Sequence, residues 1–120
     1  MAEILCVDDS QSIRDLMTAI LCQHGHNVTT AVDGMEAINI AREHSFDLAL
    51  LDVNMPNMNG LSLLSKLRNL EHFKYTPIVM VTTETSDYRK TKARNSGATG
   101  WLAKPFTEER LMGAVNKLTR

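Results

Sequence analysis

Acidic side chains stand where apolar runs end. Asp8 and Asp9 follow Ile4-Leu5-Cys6-Val7, and Asp52 follows Leu48-Ala49-Leu50-Leu51. Thr82 closes Ile78-Val79-Met80-Val81, and Lys104 closes Trp101-Leu102-Ala103. If these runs are parallel strands, the polar groups meet at one edge of a sheet. Close carboxylates raise one another's pKa and repel, unless a cation joins them. An all-oxygen set with open positions suits Mg²⁺, which keeps several waters and takes one or two carboxylates plus phosphate oxygens. Mn²⁺ would also fit. Zinc is not expected, because the predicted fold puts no His or Cys near the acids.

A lysine and a hydroxyl beside such a site suggest a phosphoryl group. Phosphoryl transfer needs in-line positioning and charge neutralisation more than covalent help. An ionised carboxylate next to a metal is a competent nucleophile, and Asp52 is the expected acceptor. Lys104 would pair with the phosphoryl group as a compact point charge. Thr82 would donate its hydroxyl, and backbone N–H groups after Asp52 and Thr82 would add donors. Each residue alone has a plainer reading: Asp8 and Asp9 as helix caps, Asp52 as a strand end, Lys104 as a surface lysine. Their combination at successive strand ends favours the site.

The elements that must position these groups alternate between strand and helix. Residues 3–8 and 47–52 are apolar runs of the kind covered on both faces. Residues 78–82, after Pro77, form a third buried strand, residues 99–103 the last, and residues 27–32 a Thr- and Val-rich edge strand. Ile13, Leu16, Met17, Ile20 and Leu21 mark a first helix, capped by Asp9 or Ser10 and ended by Gly25. A short helix after Gly34 turns Ala37, Ile38 and Ala41 inward. Val53 to Asn59 is a loop containing Pro56, and Gly60 opens a helix carrying Leu63, Leu64, Leu67 and Leu70. Residues 86–96 are a helix stopped by Gly97, with Tyr88 and Ala93 as its inward groups. Thr107 caps the final helix, Glu108 and Glu109 suit its dipole, and Leu111, Ala114, Val115 and Leu118 are its buried stripe. Five βα units of this kind require a parallel sheet with helices on both faces. Ligands then bind outside the carboxyl ends of the strands, where the acids lie.

The 86–96 helix carries Arg89, Lys90, Lys92 and Arg94 and little that is apolar, so it should open more easily than its neighbours. Its cations are either a solvated face or a docking surface for a partner.

At 120 residues the chain is expected to be one domain. A net charge of -1 leaves no nucleic-acid footprint. Apolar runs have strand length, so no membrane insertion is expected. The N-terminus enters a strand directly, with no signal peptide in view. Cys6 and Cys22 lack metal-like spacing and read as buried or semi-buried free thiols in a reducing cytoplasm. His24, His26, His44 and His72 fall near element ends. His24 and His26 could share a metal, although a surface role suits them better.

The ordered set Asp8-Asp9, Asp52, Thr82 and Lys104-Pro105-Phe106 resembles the receiver domain of two-component response regulators, over essentially the whole chain. The stretch Asp52-Val53-Asn54-Met55-Pro56-Asn57-Met58-Asn59-Gly60 is most similar to the chemotaxis branch of that family, the CheY type. This resemblance implies a receiver domain over residues 1–120 with a flavodoxin-like (βα)5 fold and strand order 2-1-3-4-5. It implies that a histidine kinase of the CheA type phosphorylates Asp52. Asp9, Asp52 and the carbonyl of Asn54 would then bind Mg²⁺ directly, with Asp8 acting through water.

It also implies a switch, in which phosphate draws Thr82 inward and Trp101 moves with it. The surface made by the 86–96 helix, the last strand and the last helix would then change its affinity for a target. Chemotaxis relatives carry tyrosine at the place of Trp101. Indole is larger and lacks the hydroxyl, so a static, semi-buried Trp101 stays open as an alternative. Thr83 is larger than the residue expected beside the switch threonine. Asn54 and Glu84 occupy the positions that tune phosphate loss in the family. Both can orient water, which implies decay in seconds to minutes, though Glu84 also reads as an ordinary exposed carboxylate. The Lys104–Pro105 bond stays open between cis and trans, since about 5% of X–Pro bonds are cis.

The function expected is a free-standing, cytoplasmic, monomeric response regulator in a phosphorelay, with no fused output domain. Chemotaxis is the expected pathway and a flagellar motor switch protein the expected target, with a phosphatase as a further partner. A receiver for pilus motility or a phosphorelay intermediate is the alternative. The chain is not expected to be an enzyme beyond its own phosphorylation and dephosphorylation. A phosphohydrolase of the haloacid dehalogenase type needs an acid where Asn54 stands. A flavodoxin-like electron carrier would set Asp8 and Asp9 against the flavin phosphate.

Overall fold

Five apolar segments pair as parallel strands in the computed structural model, which describes residues 1–55, 58–84 and 86–119. They are β1 (Glu3–Val7), β2 (Asn27–Ala31), β3 (Leu48–Leu51), β4 (Ile78–Thr82) and β5 (Gly100–Ala103), in the order β2-β1-β3-β4-β5. The helices are α1 (Gln11–Gln23), α2 (Gly34–Glu43), α3 (Gly60–Arg68), α4 (Asp87–Asn95) and α5 (Glu108–Leu118), with a single 3₁₀ turn at Glu71–Phe73 among the described residues. The fold is flavodoxin-like, as expected.

Register aligns the strand ends. Val7 lies opposite Leu51, Leu51 opposite Met80, and Thr82 opposite Ala103. Alternation sends Ile4, Cys6, Leu48, Leu50, Val79 and Val81 to the α1 and α5 face. Leu5, Val7, Ala49, Leu51, Ile78 and Met80 face α2, α3 and α4. Both faces of the central strands are covered, which is why their sequences are apolar without a break.

Side-chain caps fix where the helices begin. Ser10 rather than Asp9 caps α1, its hydroxyl accepting from Ile13 N, and Thr107 accepts from Arg110 N to cap α5. Gly25 and Gly97, at φ 87° and 109°, follow α1 and α4 in the left-handed region that suits glycine. The Val53–Asn59 loop is described apart from Pro56 and Asn57, which lie outside the described residues.

Some expected burial is displaced. Leu16 is exposed, because α1 buries Met17, Ile20 and Leu21 and leaves Leu16 at the margin of that stripe. Tyr88 is 71% exposed, not inward; Lys92 Nζ lies 6.0 Å above its ring, and Ala93 is the buried residue of α4. So small an anchor brings one turn of α4 to the sheet and leaves Asp87 and Tyr88 at its start exposed. Leu70 falls past the end of α3 and is partly buried there. On α5, Met112 joins Leu111 and Val115 in the core. Leu118 packs half-buried against that core, and with Ala114 it borders an open groove of about 440 Å³ beside β5.

The far end of α4 is tied down by Arg68. Its guanidinium donates to the carbonyls of Gly97, Phe73 and Thr76. Cys6 is buried, and burial pushes its thiol up to about 12, whereas Cys22 is exposed rather than semi-buried; both are free. No helix among the described residues is long and apolar enough to cross a membrane.

Candidate functional site

The strand ladders run one residue beyond the strands and so place the polar groups. Asp8 N donates to Ala31 O at 3.2 Å, Asp52 N to Val7 O at 3.0 Å, and Lys104 N to Thr82 O at 2.9 Å. These bonds set Asp8, Asp52 and Lys104 along one edge of the sheet, with Thr82 at the end of β4 between the last two.

Asp8, Asp9 and Asp52 converge. Each offers a carboxylate oxygen, and these lie within 4.8 Å of one another. Asp8 and Asp52 are buried at 1% and 5% exposure, while Asp9 opens to solvent. Lys104 reaches back between them, its Nζ 2.5 Å from Asp8 Oδ2 and 3.4 Å from Asp52 Oδ2. The Lys104–Pro105 peptide is cis. Burial pushes the Asp52 carboxyl above its usual range; Lys104 pulls it down, Asp8 pushes it up, and the net shift is upward.

Backbone amides also turn inward. Asn54 N donates to Asp52 Oδ1 at 3.3 Å, and Glu84 N to Thr82 Oγ1 at 3.2 Å. Thr82 is fully buried on the face that also carries Met80 and Trp101. The Asn54 side chain is exposed, and its carbonyl follows the Asp52 turn. The Glu84 carboxylate accepts from Ser86 N at 3.0 Å, so it braces the start of α4. Trp101 is half-buried against the α3 and α4 face, and its indole N–H is buried without an acceptor among the described residues. Arg89 and Lys90 are half-buried on α4, whereas Lys92 and Arg94 are exposed. Lys90, Ala93 and Arg94 wall a groove of about 240 Å³ floored by Gly100 and Trp101.

The donor set fits a hard divalent cation. Among the described residues the grouped ligands are all carboxylates, with no His or Cys. His24 pairs instead with Glu108 at 3.2 Å, and His26 Nδ1 accepts from Ala2 N at 3.0 Å. The two histidines are thus engaged separately.

Two contributors play parts at the site that the sequence does not show. Gly60 packs against the backbone of Asp52 and Val53. Arg14 reaches the carbonyl of Asp8 from α1.

Aspartates beyond β1 and β3 of a 2-1-3-4-5 sheet place the chain among flavodoxin-like α/β proteins, whose sites open at the carboxyl ends of the strands. Comparison with known proteins narrows the class: the chain belongs to the response regulator receiver domain family, which it matches over residues 4–116. It is 44% identical to the chemotaxis protein CheY4 of Vibrio cholerae, with a TM-score of 0.95 and 98% of each chain covered. It is 35% identical to Protein PilH of Pseudomonas aeruginosa over 116 residues, 97% of this chain and 96% of that protein. The receiver domain of the sensor histidine kinase PA1611 of Pseudomonas aeruginosa, solved with a magnesium ion in its active-site cleft, superposes with a TM-score of 0.91 at 27% identity, covering 98% and 97% of the two chains. The response regulator ArlR of Staphylococcus aureus is 32% identical over 120 residues, and this chain spans 53% of its length. Receiver domains are signalling proteins that bind Mg²⁺ at an acidic pocket, and Asp8, Asp9 and Asp52 form such a cluster here.

Proposed function

We propose that this chain is a cytoplasmic response regulator whose receiver domain spans residues 1–120. It accepts a phosphoryl group on Asp52 from a histidine kinase of the CheA type and changes its affinity for a protein target in chemotaxis. One observation supports this above others: three carboxylates meet within 4.8 Å, and Lys104 lies against two of them. A structural ion pair needs one acid per lysine, not a trio.

Asp9, Asp52 and the Asn54 carbonyl would hold Mg²⁺, with Asp8 acting through water. Bound Mg²⁺ supplies the charge that keeps the carboxylates ionised together and neutralises phosphoryl oxygens. The amide of Asn54 orients Asp52 for in-line attack. An Asp52 oxygen forms the new P–O bond as the donor's P–N bond breaks, and the departing imidazole keeps the electron pair and takes up a proton. Lys104 then shifts its ammonium from the acids to the phosphoryl oxygens. Thr82 turns its hydroxyl to the same group, and Trp101, on the same sheet face, follows.

Incubation with Mg²⁺ and acetyl phosphate should raise the intact mass by one phosphoryl group, and chelation should prevent it. Lys104→Ala should still take some label while losing the change in target binding. An unchanged wild-type mass would overturn the reading.

The target, a flagellar motor switch protein in this reading, meets α4, β5 and α5. The groove beside Trp101 is walled by Lys90 and Arg94 and is lined by no acid among the described residues, so it suits an acidic segment. Binding should weaken as salt rises, because screening shortens the reach of exposed charges to about 8 Å at physiological strength. Salt-insensitive binding would point instead to an apolar contact through Trp101 and α5. A receiver serving pilus motility is the second reading. Chemotaxis stands first because identity to the chemotaxis protein CheY4 is 44%, against 35% to Protein PilH.

A further inference from the structure

Asp8 is held at three points. Its Oδ1 accepts from Ser10 N at 2.9 Å, its Oδ2 meets Lys104 Nζ at 2.5 Å, and its main-chain oxygen accepts from Arg14 Nη1 at 2.7 Å. Asp9 differs. It is exposed, and no hydrogen bond or ion pair holds its side chain among the described residues. Its place therefore depends on its backbone.

The Asp8 carbonyl and the Asp9 N–H share one rigid peptide plane. A guanidinium fixed to that oxygen fixes the plane from which Asp9 departs. On the other side of Asp9, the Ser10 amide is tied to Asp8 Oδ1, and Ser10 caps α1. Arg14 sits half-buried in the first turns of the same helix, so its anchor is rigid.

We infer that Arg14 is a positioning residue for the candidate metal site, which it serves by setting the Asp8–Asp9 peptide so that Asp9 faces Asp52. The inference rests on the reading of the acidic trio as a Mg²⁺ site. Charge alone predicts the reverse: a fixed cation nearby repels a divalent ion, so removing it should tighten binding. Geometry predicts that removing it loosens binding, because supporting contacts behind metal ligands commonly carry 10–100-fold in affinity. The opposite signs make the test decisive.

Mg²⁺ titrated by calorimetry into the full chain separates them. Arg14→Met keeps the apolar stem and drops both donor and charge. It should bind Mg²⁺ about tenfold more weakly or worse, with a urea midpoint close to wild type. Arg14→Lys keeps an ammonium donor within reach of the same carbonyl and should recover part of the loss. Equal or tighter Mg²⁺ binding by Arg14→Met overturns the role of Arg14 alone. A loss of affinity matched by a general fall in the urea midpoint, with no recovery in Arg14→Lys, overturns it as well. A wild-type chain that takes up no Mg²⁺ at millimolar concentration sinks the reading of the site itself.

Discussion

Asp52→Asn should abolish phosphoryl uptake and, without divalent cation at neutral pH, make the protein more stable rather than less. The first effect is complete because an amide nitrogen and its conjugated oxygen are poor nucleophiles. The second follows from burial. Asp52 is 5% exposed, and burial drives its carboxyl upward despite the help of Lys104. A carboxyl raised in the folded state favours folding below its unfolded pKa. That contribution is lost as pH rises through the folded value. Above the folded pKa the wild type therefore carries an ionised carboxylate that the fold disfavours. Asparagine has the same shape and no charge to desolvate. It does not orphan Lys104, whose ammonium keeps Asp8 Oδ2 at 2.5 Å.

The gain of the variant should accordingly be small in acid and grow as pH rises through the raised pKa of Asp52. Magnesium should erase it. A ligand present at 100 times its Kd stabilises the state that binds it by about 2.7 kcal/mol, and on the proposed reading the variant lacks one carboxylate that would hold the ion. Urea unfolding across a pH series, with and without Mg²⁺, measures all of this, and mass spectrometry reads the label. A variant less stable than wild type at neutral pH without metal would show that burial is not the dominant influence on Asp52. A variant that still takes the label would move the acceptor elsewhere.

How far the sequence reveals this site depends on what kind of contact is involved. Asp8, Asp52, Thr82 and Lys104 were legible because strand ends are local: an apolar run stops, and parallel pairing aligns the stops. Ser10 and Thr107 were legible because a cap acts within three residues. Leu16 and Tyr88 were misread because periodicity gives a direction about the helix axis, not whether anything lies beneath. Tyr88, at the start of α4, stays exposed with Lys92 over its ring. Arg14 was invisible because a guanidinium seeking a main-chain oxygen leaves no residue pattern: every residue has that oxygen. Gly60 could be read as a helix opener, but not as a point of close approach. That depends on where the α3 terminus meets the end of β3.

Gly60→Ala should be the most damaging small substitution at the site. A β-carbon there would lie 2.1 Å from Asp52 O and 2.8 Å from Val53 Cα. Both atoms are backbone, so no side chain can rotate away. Gly60 N also donates to Val53 O at 2.8 Å, which ties the α3 terminus to the turn after Asp52, the proposed acceptor. To admit the methyl group, α3 must withdraw or the Asp52–Val53 turn must shift by about an ångström. Overpacking of this kind costs ~3 kcal/mol or more, a large share of the 5–15 kcal/mol typical of a domain. The melting temperature should fall by roughly 10 °C. Phosphoryl uptake should fall further than stability accounts for, because the turn that moves carries Asp52 and the Asn54 amide hydrogen-bonded to it. Gly113→Ala is the matched control. Gly113 lies inside α5 with nothing within 4 Å of its missing β-carbon. Alanine there should raise stability by up to about 1 kcal/mol through helix propensity alone. Thermal melts of the two variants beside wild type, followed by labelling of each at a temperature where all are folded, separate a collision at the site from a general intolerance of added methyl groups. A Gly60→Ala protein that melts and labels like wild type would mean that the α3 terminus does not brace the acceptor turn.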